Sequence, residues 1–202
     1  MVSKKSLPND ESPIDDVDKI DSSIDIYANV DYDTIVSQEV DAIPGWAVVG
    51  RDRSEGTSLI KDDLVGSPFA IVGVVFRPSN VSLAQYVSVL AISKEYKAIC
   101  INDGSTGIRS QILKYCVDRG IARYVGPESD PKFIAPVNNY EWDLPAKVSL
   151  LGENATGAEE IRVDIPFRKP LDCPRGLRVS RDYEFDNPET GKKGKATTYY
   201  LG

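Results

Sequence analysis

The sequence predicts a mainly β domain of the α+β class, a small barrel with one helix between its third and fourth strands, preceded by a disordered acidic arm. Three observations lead there. β-branched and aromatic runs recur between turn-forming clusters over residues 67–102 and again over 147–202. Only one stretch, 107–119, carries apolar residues at helical spacing. Charge is also uneven: residues 1–41 hold eleven acids against Lys4, Lys5 and Lys19, a net of −8, while 42–202 hold twenty acids and twenty-one bases.

Residues 1–41 therefore form one unit and 42–202 another. The first has low hydrophobicity, high net charge and scattered Pro and Ser, and cannot bury enough apolar surface to offset its ordering entropy. Its apolar residues, Ile14, Val17, Ile20, Ile24, Ile26, Tyr27, Val30, Tyr32, Ile35 and Val36, are dense enough for a segment that docks on a protein partner. The plainer reading is a solubilising tail.

The body opens with a short apolar piece at 45–50 and a charged loop. "SPFAIVGVVFRP" (67–78) is the first strong strand, bounded by prolines. "QYVSVLAIS" (85–93) alternates, with Tyr86, Ser88, Leu90 and Ile92 on one face and Val87, Val89 and Ala91 on the other. A short turn leads into "YKAICIN" (96–102), which makes a hairpin. Ile108, Ile112, Leu113, Cys116 and Val117 form the helical stripe, Ser105 or Thr106 caps it, and Gly120 suits a left-handed C-terminal residue. "IARYVG" (121–126) reads as the next strand and 128–146 as Pro- and Asn-punctuated loop. "KVSLLG" (147–152) and "IRVDIPF" (161–167) are strands. Residues 175–185 and 196–202 make a long hairpin around "DNPETGKKGK". A helix between third and fourth strands is the element order of a five-stranded OB-like barrel.

"INDGSTGIRSQI" (101–112) has the glycines and following helix that a phosphate loop needs. It lacks the lysine of a Walker loop and the third glycine of a dinucleotide fingerprint. The favoured reading is structural: Gly104 turns the chain at positive φ, and Gly107 lets the helix approach the sheet. With no histidine in the chain, Ser–His and Cys–His nucleophiles are excluded, and Cys100, Cys116 and Cys173 have no metal-site spacing. The acid pairs Asp62/Asp63 and Glu159/Glu160 read as solvated surface. The expectation is no catalytic residue, no metal and no cofactor. Nor does any run approach a membrane span or the apolar region of a signal peptide.

From Arg162 to Lys195 there are nine bases and six acids, interleaved with Phe167, Tyr183 and Phe185. Bases that neutralise phosphates, together with rings on which nucleobases stack, are what sequence-tolerant single-strand binding requires. The candidate contacts are Arg175, Arg178, Arg181, Tyr183, Lys192, Lys193, Lys195 and Tyr199, with Tyr86 from the earlier hairpin. The opposing reading is that the cations decorate a hairpin and the rings are core.

"SPFAIVGVVFRP", "YVSVLAIS", "AICINDGSTGIRSQI", "CPRGLRVS" and "ATTYYLG" together resemble a group of small β-rich proteins of actinobacterial tailed phages, provisionally described as single-stranded-DNA-binding. The resemblance spans roughly 61–120 and 173–202 and brings no functional residues with it. It implies a role in viral DNA replication or recombination in the cytoplasm of the infected bacterial host. The partners the sequence admits are single-stranded DNA, a protein met by the arm, and a second copy of the chain; a membrane is not among them. The rival readings are a virion structural or adaptor protein whose arm docks on neighbours, and an inhibitor of a host protein.

Overall fold

The structure, a computed structural model, describes residues 46–50, 57, 59–78, 85–129, 132–154, 156–186 and 193–202, without the side chains of 181–183, 185, 186, 195 and 196. The expected acidic arm, residues 1–41, lies outside the described residues, as does Lys192.

Among the described residues, eleven strands and one α-helix follow in chain order. They are β1 (Ala47–Gly50), β2 (Leu59–Ile60), β3 (Phe69–Pro78), β4 (Gln85–Ser93), β5 (Lys97–Asp103) and α1 (Thr106–Asp118). Then come β6 (Ala122–Tyr124), β7 (Tyr140–Trp142), β8 (Lys147–Glu153), β9 (Glu159–Cys173), β10 (Leu177–Asp186) and β11 (Lys193–Leu201). The chain is mainly β. Seven strands form one mixed sheet in the order β2-β1-β5-β4-β3-β9-β8, while β10–β11 and β6–β7 form separate two-stranded sheets.

The expected barrel is not closed. β2 and β8 end the large sheet, and β6, three residues long, pairs with β7 instead of extending it. The helix occupies its expected residues, but β1 and β2 precede the strong strands, so it follows the fifth strand rather than the third.

β3 is the heart of the sheet. Its run FAIVGVVF is buried along its whole length, because β4 and β9 flank it and both of its faces are covered. Cross-strand partners fix the faces. Phe76 stands opposite Val87 and Val163, and Val74 opposite Val89 and Ile165. These residues share one core with Ile108, Ile112, Leu113 and Cys116 of α1, and with Leu177, Tyr199 and Leu201 of the terminal hairpin. One face of the sheet is therefore covered by the helix, the base of the hairpin and the β6–β7 pair. Burying each of these large side chains contributes on the order of 1.5–3 kcal/mol.

Two strand irregularities have visible causes. Between Ile71 and Gly73 the register of β9 jumps from Leu171 to Pro166, and Pro166 and Pro170 have no N–H to give a ladder. β9 also runs farther than the apolar pattern suggested, through the polar 168–172 to Cys173.

Of the glycines in the turn before α1, Gly104 is not among those with positive φ, contrary to expectation. Asp103 makes the turn instead, its Oδ1 accepting the Ser105 N–H at 2.5 Å. Ser105 occupies the N-cap position without a side-chain capping bond. Gly107 does serve close approach: a Cβ there would lie 2.2 Å from the Tyr199 carbonyl oxygen and 2.9 Å from Thr198 Cγ2. Gly120 has φ 68°, the left-handed conformation expected after the helix.

Candidate nucleic-acid interface

The terminal hairpin carries most of the sequence-predicted contacts. β10 and β11 pair antiparallel, with Arg178 opposite Tyr200 and Val179 opposite Tyr199, and a bulge between Val179 and Asp182. Alternation along a strand sends adjacent tyrosines to opposite faces. Tyr199 is the one that turns inward, 8% exposed, with its hydroxyl donating to Asp62 Oδ1 at 2.7 Å. The Lys61 ammonium lies 5.5 Å from its ring centroid. Tyr199 is thus a core residue, and its assignment as a stacking platform is corrected here. Gly107 admits the Tyr199 backbone against α1, where a Cβ would collide with its carbonyl.

Tyr200, half-buried, stands instead beside exposed Arg178, the two being cross-strand partners. Arg178 donates to the Leu201 carbonyl at 3.4 Å. Arg175, exposed in the turn before β10, is its near neighbour: a Cβ on Gly202 would lie 2.9 Å from Arg178 Cγ and 3.0 Å from Arg175 Cβ. Lys193 begins β11, exposed and 3.8 Å from Glu184. Such an exposed pair contributes little and leaves Lys193 available to another anion. Arg181, Tyr183 and Lys195 lie on β10 and β11 by backbone, with side chains outside the described residues.

Tyr86 is placed elsewhere. It sits on β4 opposite Arg77, beside the Phe76–Val87 pair. Since Phe76 and Val87 face α1 and the hairpin, Tyr86 and Arg77 point to the other side of the sheet. There the Arg77 guanidinium lies 4.5 Å over the Tyr86 ring, and Arg77 and Ser88 both donate to Asn102 Oδ1, at 3.5 and 2.7 Å. Burial lifts the Tyr86 hydroxyl above the usual phenol range, while the Arg77 charge pulls it back. The expectation that Tyr86 shares a surface with the hairpin cations is not met.

Two further members of the basic segment are interior. Phe167 is buried with its ring 5.0 Å from that of Tyr115. Arg162 is also buried and donates to Asp164 Oδ1 at 2.7 Å, so one base and one acid cancel inside. What remains on the surface between 168 and 193, among the described side chains, is five bases (Arg168, Lys169, Arg175, Arg178 and Lys193) against Asp172 and Glu184. Burying Arg162 with Asp164 removes one base and one acid together, so the segment keeps the same excess of three bases.

The loop before α1 is occupied by its own structure. Asp103 lies 3.2 Å from the Lys61 ammonium in a nearly closed site and also receives the Ser105 N–H. A carboxylate at that position opposes a phosphate, and the helix start serves as a turn. Among the described residues no group of three or more Cys, Asp or Glu is placed to hold a metal, and no helix is long and apolar enough to cross a membrane.

No family model, curated protein or solved structure matches the chain.

Proposed function

We propose that the chain is a non-enzymatic single-stranded nucleic-acid-binding protein whose contact surface is the outer side of the β10–β11 hairpin and the turn before it. The observation that carries this reading is the excess of exposed bases over acids among the described side chains of 168–193, with Tyr200 as the ring beside Arg178. Arg175, Arg178 and Lys193 neutralise phosphates, and Arg181, Lys192 and Lys195 extend the cationic track by sequence. Tyr200 and Tyr183 supply stacking surfaces, a contribution that tolerates any base. The resemblance to phage proteins directs this reading to viral DNA replication or recombination. The net −8 of residues 1–41 works against a polyanion on charge alone.

The test is fluorescence anisotropy of labelled oligo-dT over a series of salt concentrations, with the full chain and with a chain lacking residues 1–41. Affinity falls with salt, by a log–log slope of about 0.7 per phosphate contact. Arg178→Ala lowers that slope by about one contact, and Tyr200→Ala weakens binding about tenfold or more. Removing the arm tightens binding. If the truncated chain binds no oligo-dT at low salt, the proposal is wrong.

A second reading, a protein-interaction component of the virion, draws on an exposed apolar strand at the edge of the large sheet. Mass spectrometry of purified particles separates the two, because a replication factor is absent from virions.

A further inference from the structure

The large sheet has two faces, and the elements packed on it account for one. α1, the base of the hairpin and the β6–β7 pair all join the core that holds Val74, Phe76, Val87, Val89 and Ile101. Strand residues that alternate with these point the other way. Val75 stands opposite Ser88 and Asp164, and Leu90 opposite Cys100. Val75, Leu90 and Cys100 are 0%, 1% and 2% exposed, yet none of them belongs to that core. Side chains on a bare sheet face stay open to water, so closure across β3, β4 and β5 requires a second layer. Among the described residues, every element outside the sheet contributes to the first core instead. The second face also carries buried charge, the guanidiniums of Arg77 and Arg162 against the carboxylate of Asp164. An interior surplus of bases is costly unless an acid meets it.

Length and charge indicate what covers this face. Between described residues no undescribed stretch exceeds six residues, too short to cross three strands, whereas forty-five residues precede Trp46. Residues 31–45 lead straight into β1, which pairs with β5. On a helical period Tyr32, Ile35, Val36, Val40 and Ile43 form one stripe, and Glu39 falls inside it. An acid on an apolar stripe needs a base to face, and Arg77 and Arg162 are such bases. The same fifteen residues hold four acids, Asp31, Asp33, Glu39 and Asp41, and no base. Fifteen helical residues measure about 22 Å. That matches the roughly 19 Å from β1 across β5, β4 and β3 to β9.

We propose that residues 31–45 fold back over the second face of the large sheet as its outer layer. The apolar stripe lies on Val75, Leu90 and Cys100, and Glu39 faces Arg77 and Arg162. The occupant of this face is the chain's own acidic segment.

Maleimide labelling of the full chain, mapped by mass spectrometry, tests this without nucleic acid and so independently of the proposed function. Cys100 lies under the segment, while Cys116 and Cys173 belong to the other core. All three resist labelling in the unaltered chain. In a full chain carrying Ile35→Asp and Val36→Asp, Cys100 labels about tenfold faster or more, with Cys116 and Cys173 unchanged. Glu39→Arg acts likewise, since it sets a base against Arg77 and Arg162. Asp41→Arg, on the opposite side of the helical period, does not. A benzophenone side chain in place of Val36 gives a second readout that needs no loosened variant. Its photo-cross-links form within one chain, to Leu90, Ile92 or their neighbours on that face. Unchanged Cys100 labelling in the Ile35→Asp, Val36→Asp chain overturns the inference, as do cross-links that map elsewhere or join two copies.

Discussion

Tyr199 and Tyr200 are adjacent, chemically identical and put to different uses, and the difference comes from what each faces. Tyr199 lies under Lys61 with its hydroxyl on Asp62, tying the last strand to the 3-10 turn at Lys61–Leu64. Removing that hydroxyl costs a part-buried hydrogen bond to a carboxylate and nothing at the outer surface. Tyr199→Phe therefore lowers stability by about 1 kcal/mol and the melting temperature by about 2–4 °C. It leaves oligo-dT affinity unchanged in the anisotropy titration, whereas Tyr200→Ala weakens binding. A Tyr199→Phe variant with wild-type stability and poor binding would reverse the two assignments. That the two rings must diverge is legible in the sequence, because strand side chains alternate. Which one turns inward is not, since the groups that receive the ring and its hydroxyl, Lys61 and Asp62, lie far earlier in the chain, Asp62 by 137 residues.

At the scale of elements, α1 and β11 are joined by a side chain that acts as a piece of strand. The Gln111 amide donates to the Leu201 carbonyl at 3.1 Å and accepts the Leu201 N–H at 2.6 Å, satisfying both polar groups of a strand residue with no neighbour on that side. Gln111→Ala leaves both groups without these partners in a part-buried place, at a cost of about 1–3 kcal/mol. Amide exchange at Leu201 should quicken by about tenfold or more, read by hydrogen–deuterium exchange. Gln111→Glu keeps the acceptor, loses the donor and falls between. Unaltered exchange in Gln111→Ala would show that the hairpin is held by its apolar base alone. The strong local patterns were readable from residue types: β3, β4, β5 and α1 lie within two residues of their expected bounds. β7 and the second half of β9 were not, because their residues become strand through partners far along the chain. Tyr140–Trp142 pairs with Ala122–Tyr124, and polar Asp172 pairs with Ala70.

The whole molecule shows where local patterns stop informing. Whether a sheet closes depends on which edge strands meet, and neither the parallel pairing of β1 with β5 nor the isolation of β6–β7 has a sequence signature of its own. The candidate surface was legible as a run of bases, but its partition into inner Arg162, Phe167 and Tyr199 and outer Arg175, Arg178 and Tyr200 needed the fold. Burial also sets a pH response that belongs to the molecule as a whole. Cys100, Cys116 and Cys173 are free and buried, and burial pushes all three thiols up to about 12, with Arg77 opposing at Cys100 and Asp172 adding at Cys173. In the unfolded chain they titrate near 8.5. A folded pKa above the unfolded one means that the stability these groups lend is complete below about pH 8.5 and drains away as pH rises toward about 12. The unfolded state sheds protons there that the folded state keeps, at up to about 1.4 kcal/mol per pH unit for each thiol. With no histidine in the chain, this side-chain contribution to the pH response of stability is absent near neutrality. Urea midpoints should therefore be level from pH 7 to 8 and fall steeply between pH 9 and 10.5. Cys116→Ala should shallow that fall by about a third while lowering stability at neutral pH, since it leaves a small cavity. A midpoint that holds level through pH 10.5 would mean the thiols are reached by water in the folded chain, and that the core around α1 is looser than its packing indicates.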